Sequence, residues 1–200
     1  MIKLLSPTID KIIEMTWPMV LISCIIFVSL RISYLHKRHE RIIIYKELLL
    51  LTFIIYIMCL FQVVTFQDDT PWASNNFIPF KEILRYNMGS RLFFKNVVGN
   101  LIMFIPYGFF TSYYLDNKKI SLTLVLTIIA SISIESVQLI IGRVFDVDDI
   151  ILNILGGICG YLIYHVFDLI ASKLPKIFRN EVILDILTIL ILIIFVVILF

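Results

Sequence analysis

The chain has 200 residues, of which 60% are hydrophobic and 16% charged, with a net charge of +2 and a mean hydropathy of +0.98. Soluble domains run nearer to about 45–50% apolar, and one core of this length cannot hide the surplus, so a water-soluble globule is excluded and much of the surface must face lipid. The small net charge gives no ground for a nucleic-acid partner. The cysteines Cys24, Cys59 and Cys159 all lie in apolar runs and fit neither a disulfide framework nor a metal-ligand spacing.

Residues 1–16 open the chain with Ile2, Leu5, Ile9, Ile12 and Ile13 set among Lys3, Asp10, Lys11 and Glu14. That is helical periodicity, which predicts an interfacial segment before the first span. No small-residue cleavage site follows the first apolar run, so a removable signal is not expected. A helix needs about 20 apolar residues to cross the hydrocarbon core, and residues 15–35, 47–66, 96–115, 120–141, 150–168 and 182–200 each qualify. The expected fold is all-α, a multi-pass transmembrane helical bundle of about six spans, because backbone groups in lipid must be satisfied internally. Three regions follow: 1–46, with the interfacial segment, first span and basic loop; 47–170, the main membrane domain with spans two to five; and 171–200, a loop and terminal span.

In the first span Arg31 sits near the end, where its stem can reach toward headgroups. The following loop holds His36 and His39 among Lys37, Arg38 and Arg41, a cation-rich flank suited to anionic lipid and ill suited to a metal. A long loop, 67–95, contains Asn76-Phe77-Ile78-Pro79-Phe80-Lys81. The third span opens with Asn96 and Asn100, spaced to share a helix face, and contains Pro106, which must kink it or free a carbonyl. The fourth ends with Ser131, Glu135 and Gln138. The loop 142–149 carries Arg143, Asp146, Asp148 and Asp149, and reads as a solvated acidic loop with Asp149 capping the fifth span. That span continues with Asn153, then Gly156, Gly157 and Gly160, small residues that let another helix approach closely. Residues 182–200 form an apolar anchor with no chemistry of their own.

Orientation follows from the short loops. Lys37, Arg38, Arg41, Lys46, Lys118, Lys119, Lys173, Lys176 and Arg179 fall on one side; Lys3, Lys11, Lys81, Arg85, Arg91, Lys95 and Arg143 fall on the other, spread over longer stretches. The denser side is expected in the cytoplasm, which puts both termini and the two motif loops outside. At about 1.5 Å per residue, Asn100, Glu135 and Asn153 then lie at one depth, just inside the outer ends of their helices. An intramembrane carboxylate costs roughly 2.5–3.5 kcal/mol on insertion scales, so Glu135 requires partners. The candidates are Gln138, Asn100, Asn153 and Arg143. The expected arrangement is a shared pocket, serving either as a packing cluster or as a binding site.

At these residues the chain resembles the VanZ-like family. The resemblance rests on Asn76-Phe77-Ile78-Pro79-Phe80-Lys81, on Asn96-Val97-Val98-Gly99-Asn100 continuing to Pro106-Tyr107-Gly108, and on Glu135-x-x-Gln138 followed by Asp146-x-Asp148-Asp149-x-x-x-Asn153-x-x-Gly156-Gly157, in order over residues 74–165. It implies a protein of the bacterial cytoplasmic membrane in a family whose founding member is associated with teicoplanin resistance. No reaction comes with the family name.

Three function classes remain. The first is a non-enzymatic membrane protein that alters how the cell envelope responds to glycopeptide-type compounds. Its outward-facing polar site would bind a lipid headgroup, a lipid-linked envelope precursor or the drug, through Asn76, Pro79, Phe80, Lys81, Asn96, Asn100, Glu135, Gln138, Arg143, Asp146, Asp148, Asp149 and Asn153. Pro106, Gly108, Gly156, Gly157 and Gly160 would be structural. The second is an enzyme acting on a lipid-linked substrate, with Glu135 as acid or base. No cofactor is required, and Asp146, Asp148 and Asp149 are the one candidate set for a divalent cation. The third is a transporter or channel, against which stand the lack of an inverted repeat and the gathering of polar residues at one end of the spans. The oligomeric state is open.

Overall fold

The computed structural model describes the backbone of residues 2–66, 75–116, 119–175 and 180–199, and the side chains of these except 2–13, 15, 66 and 194–199. Lys118, Lys176 and Arg179 of the charge count, and the side chains of the proposed interfacial segment other than Glu14 and Thr16, lie outside these. The described elements are α1 (Ile2–Arg38), α2 (Ile44–Phe66), α3 (Lys81–Arg85), α4 (Gly99–Leu115) with a π-helical turn Phe93–Val98 ahead of it, α5 (Ile120–Ile140), α6 (Val147–Lys173) and α7 (Glu181–Leu199). The protein is all-α and multi-pass. Among the described residues five helices are long and apolar enough to cross a membrane: Thr16–Arg38, Ile44–Thr65, Phe93–Leu115, Ile120–Ile140 and Val147–Lys173. The sixth expected span is the 19-residue helix α7. Residues 2–16 continue into the first span as one helix with no break before it.

Two compact units divide the chain, one of Met1–Thr16 with Met58–Val166, the other of Trp17–Ile57 with Phe167–Phe200. In the second unit Arg31 does not simply reach for headgroups. Its guanidinium grips Glu47 with two bonds, Nε to Oε2 at 2.8 Å and Nη2 to Oε1 at 3.0 Å. Nor is α7 without polar partners. Asp185 accepts the Tyr45 N–H at 2.9 Å, satisfying one of the amides that every helix start leaves open, and Glu181 pairs with Lys46 at 2.7 Å.

In the other unit α4, α5 and α6 pack through small residues. A Cβ built on Gly108 would strike the Gly157 backbone, one on Gly156 the Leu101 carbonyl, and one on Gly160 the Ile105 carbonyl. Gly157 also faces Thr127, whose side chain would lie 2.6 Å from an added Cβ. The helices therefore touch backbone to backbone, the close approach that only glycine allows. Helix α4 runs on as helix through Pro106.

The buried face of α5 is Thr123, Thr127, Ser131, Glu135 and Gln138. Every one is polar, and they recur at three- and four-residue spacing, so they form one stripe. The outward positions Val125, Ile129, Ile132 and Leu139 are exposed. This reverses the soluble pattern, as lipid on the outside demands. It also corrects the expectation that the polar residues gather only at one end: the stripe runs nearly the whole length of α5.

Candidate functional site

Residues 75–83 and 142–149 are separate in sequence but are bonded into one structure. Asn76 and Asp146 form a parallel β-bridge, with the Asn76 N–H on the Phe145 carbonyl at 2.8 Å and the Val147 N–H on the Asn76 carbonyl at 3.0 Å. The side chains repeat the link, since Asn76 Nδ2 donates to Asp146 Oδ1 at 2.8 Å, and Asn75 Oδ1 accepts from the Phe145 N–H at 3.0 Å. Asp146 Oδ1 takes the Asp148 N–H as well, at 2.8 Å.

Asp148 is 1% exposed. Its carboxylate accepts the backbone N–H groups of Phe80, of Glu82 at 2.7 Å and of Ile83 at 3.1 Å. It thereby supplies the acceptors that the start of α3 lacks. The chain enters α3 through Phe80 in the left-handed region, φ 65°, so these amides turn toward α6. The acidic loop is thus not solvated as expected. The caps it provides are Asp148 on α3 and Asp146 on α6, which begins at Val147 and whose Asp148 N–H bonds to Asp146 Oδ1; Asp149 lies within the first turn of α6.

The membrane-facing side of the loop rests on Glu135. Its Oε2 accepts the Asp146 N–H at 3.0 Å. With the Gln138 amide oriented to suit its neighbours, Gln138 donates to Glu135 Oε1 at 2.9 Å and accepts from Arg143 Nη1 at 2.8 Å. Arg143 Nη1 also reaches the Val64 carbonyl at the end of α2, at 2.6 Å. Asn100 donates to Asp149, Asn96 to the Tyr86 hydroxyl at 2.8 Å, and Asn153 to Ser131 Oγ at 3.0 Å. Burial pushes the Asp146 carboxyl above the ordinary carboxylate range, with Asn76 and the Asp148 N–H pulling the other way. The Tyr86 hydroxyl is likewise raised, chiefly by burial.

The expected shared pocket therefore takes a different form. Glu135 meets Gln138 and the loop backbone; Asn100 and Asn153 are held by Asp149 and Ser131. Separate pairs replace one common contact: Glu135 is tied to the loop at Asp146, Asn100 to Asp149, and Asn153 to Ser131 of α5. Glu135, Asp146, Asp149 and Arg143 still lie within electrostatic range of one another. Among the described residues no three His, Cys, Asp or Glu side chains gather in a metal-ligating group, and the Asp148 oxygens already face backbone amides. Asn153 is 1% exposed, yet its Oδ1 has no hydrogen-bond partner. Pro79 and Lys81 lie exposed at the turn into α3.

The model of the VanZ/LLP1 family matches residues 53–168, which hold all of these side chains. The chain belongs to the VanZ/LLP1 family. Comparison with curated proteins and with solved structures gives no match. The VanZ/LLP1 region thus coincides with the part of the chain in which the loops, the three glycine-packed helices and the buried polar stripe occur.

Several residues of the VanZ/LLP1 region escaped the sequence reading. Thr123 and Thr127 extend the stripe below Ser131, and Ser112 of α4 joins it through a 3.1 Å bond between its Oγ and Thr123 Oγ1. Their four-residue spacing in an otherwise apolar helix was the available signal. Tyr86, which receives Asn96, carried none. At the opposite end of α6, His165 sits against the rings of Tyr161 and Tyr164, with centroids 4.3 and 5.3 Å away, and its buried Nε2 has no hydrogen-bond partner.

Proposed function

We propose that this VanZ/LLP1 protein acts in the bacterial cytoplasmic membrane as a non-enzymatic binder of a lipid headgroup or lipid-linked envelope precursor, and so alters the response to glycopeptide-type compounds. The binding end is the one formed by the start of α4, the end of α5 and the start of α6, facing out of the cell. The observation that carries this reading is Asn153, a buried amide whose oxygen lacks a donor beside the linked carboxylates and amides of the motif loops. Buried polar groups are nearly always paired, so an open acceptor in such a network suits a hydroxyl- or amine-bearing group. The charge distribution of the loops supports the outward orientation. Glu135, with both oxygens accepting from Gln138 and the Asp146 N–H, is placed to hold the loop, which favours binding over acid–base chemistry.

The test is expression in a susceptible host, with teicoplanin susceptibility and total lipid extracts compared for the wild type, Asn153→Leu and Glu135→Gln at equal membrane abundance. Asn153→Leu should abolish the shift in susceptibility while the lipid species stay unchanged. A shift that survives Asn153→Leu overturns the site, and a new or missing lipid species replaces the binder with an enzyme.

A further inference from the structure

We infer that residues 77–92 form a wedge seated in the headgroup region of the surrounding bilayer, holding anionic lipid through Lys81, Arg85 and Arg91. The loop is built inside out for a segment in water. Its amides at Phe80, Glu82 and Ile83 turn inward to Asp148, and Asn76 just before it bridges to Phe145 and Val147. Its large apolar side chains turn outward: Leu84 is 81% exposed, Met88 90%, Phe77 67% and Ile78 61%. Both attachments are at span ends. Asn76 is bonded beside the first residue of α6, and Tyr86 is bonded to Asn96 in the π-helical turn that leads into α4. The outward side chains therefore stand at the level where the spans leave the hydrocarbon. The exposed surface continues onto Leu92 before α4 and Ile140 and Ile141 at the end of α5, helices whose outer faces meet lipid.

Charge selects the occupant. Residues 75–92 hold three cations, Lys81, Arg85 and Arg91, against one acid, Glu82. Arg85 lies 3.2 Å from Glu82 but remains largely exposed, and among the described residues Lys81 and Arg91 have no carboxylate partner. Exposed apolar groups interleaved with free cations match an anionic membrane surface, where stems lie along acyl chains and charges meet phosphates. Lys81 is shared with the expected headgroup site, but none of these side chains belongs to the buried network around Asn153, so the wedge and the function proposed above can fail separately.

The test places tryptophan at the wedge. With Trp17→Phe and Trp72→Phe as background, Leu84→Trp and Met88→Trp are reconstituted in phosphatidylcholine nanodiscs, with and without phosphatidylglycerol, using lipids brominated near the headgroup end of the chain. Both tryptophans should be quenched by bromine, and more strongly with phosphatidylglycerol present. Neutralising Lys81, Arg85 and Arg91 to Gln should lower the phosphatidylglycerol retained on purification, read by mass spectrometry, by about fivefold per cation, and excess inorganic phosphate should not substitute for the lipid. Blue-shifted emission without bromine quenching would mean a protein partner or a second copy and overturns the inference; red-shifted, unquenched emission means water and does the same. Equal phosphatidylglycerol retention in the triple variant removes the anionic specificity. Ile78→Trp gives a further position if either variant elutes as aggregate.

Discussion

Asp148 shows how one side chain can set the path of a loop. It is nearly absent from solvent and receives backbone N–H groups from Phe80, Glu82 and Ile83. Hydrogen bonds to charged groups contribute about 1.5–3 kcal/mol each, and groups left open after truncation cost more. Asp148→Ala should lower stability by roughly 3–5 kcal/mol, seen as a drop in melting temperature in detergent, and should make 75–91 the first protease cut. Asp148→Asn keeps an acceptor oxygen and should lose about half as much. Asp146 gives a pH signature. Its carboxyl is raised in the folded state, so the folded protein binds more protons than the unfolded one between the ordinary and raised values, and stability falls as pH rises through that window. Melting curves across this range should show that slope in the wild type and a shallower one in Asp146→Asn, which keeps an oxygen for Asn76. That these residues would gather was legible from their types and spacing near the span ends. Their pairing was not. Asp146, Asp148 and Asp149 are near neighbours of one type, and which of them meets the amides depends on the left-handed turn at Phe80, a conformation that no side-chain pattern marks.

At the scale of elements, the span boundaries were readable because about 20 apolar residues leave few choices; apart from the start of α1, which runs back to Ile2, the helices begin and end within about five residues of the expected limits. The inner face of α5 was harder to see. Averaged hydropathy submerges Thr123 and Thr127 among their isoleucines and leucines, although a helical wheel places them on the face of Ser131 and Glu135. The glycine contacts turn this packing into a prediction. Gly160→Ala must push a methyl into the Ile105 carbonyl, which no side-chain shift can relieve, and should cost about 3 kcal/mol or more. Gly89→Ala has open space around it and meets only the strain of φ 94°, worth roughly 1–2 kcal/mol. Thermal melts of the two variants in one detergent should rank them in that order. Span 182–200 was read as an anchor alone because nothing in its own sequence says where Asp185 will find the open amide of Tyr45.

For the whole molecule the charge pattern makes a topological prediction. In a background without Cys24, Cys59 and Cys159, a cysteine replacing exposed Arg85 should react with a membrane-impermeant maleimide in intact cells. One replacing exposed Glu40, in the loop between α1 and α2, should react only after lysis. The reverse pattern would place the motif loops in the cytoplasm and move any envelope ligand to the other face. The family match over residues 53–168 accounts for why this part of the chain could be read closely, while α1 and α7 offered only length and hydropathy. Within 53–168, the blocks at 76–83 and at Glu135 are tied to 145–148 by bonds that use the main chain on at least one side, whereas Asn100 meets Asp149 side chain to side chain.

The turn at 80–83 that opens α3 is held by its peptide amides, so its shape is dictated from position 148 and not by its own side chains. Lys81, Leu84 and Arg85 can then be exchanged for other residues while the fold stays put, provided no proline removes the donor at 82 or 83. A surface of this kind can be retuned toward a new ligand by rewriting a few outward letters, with the scaffold beneath left untouched.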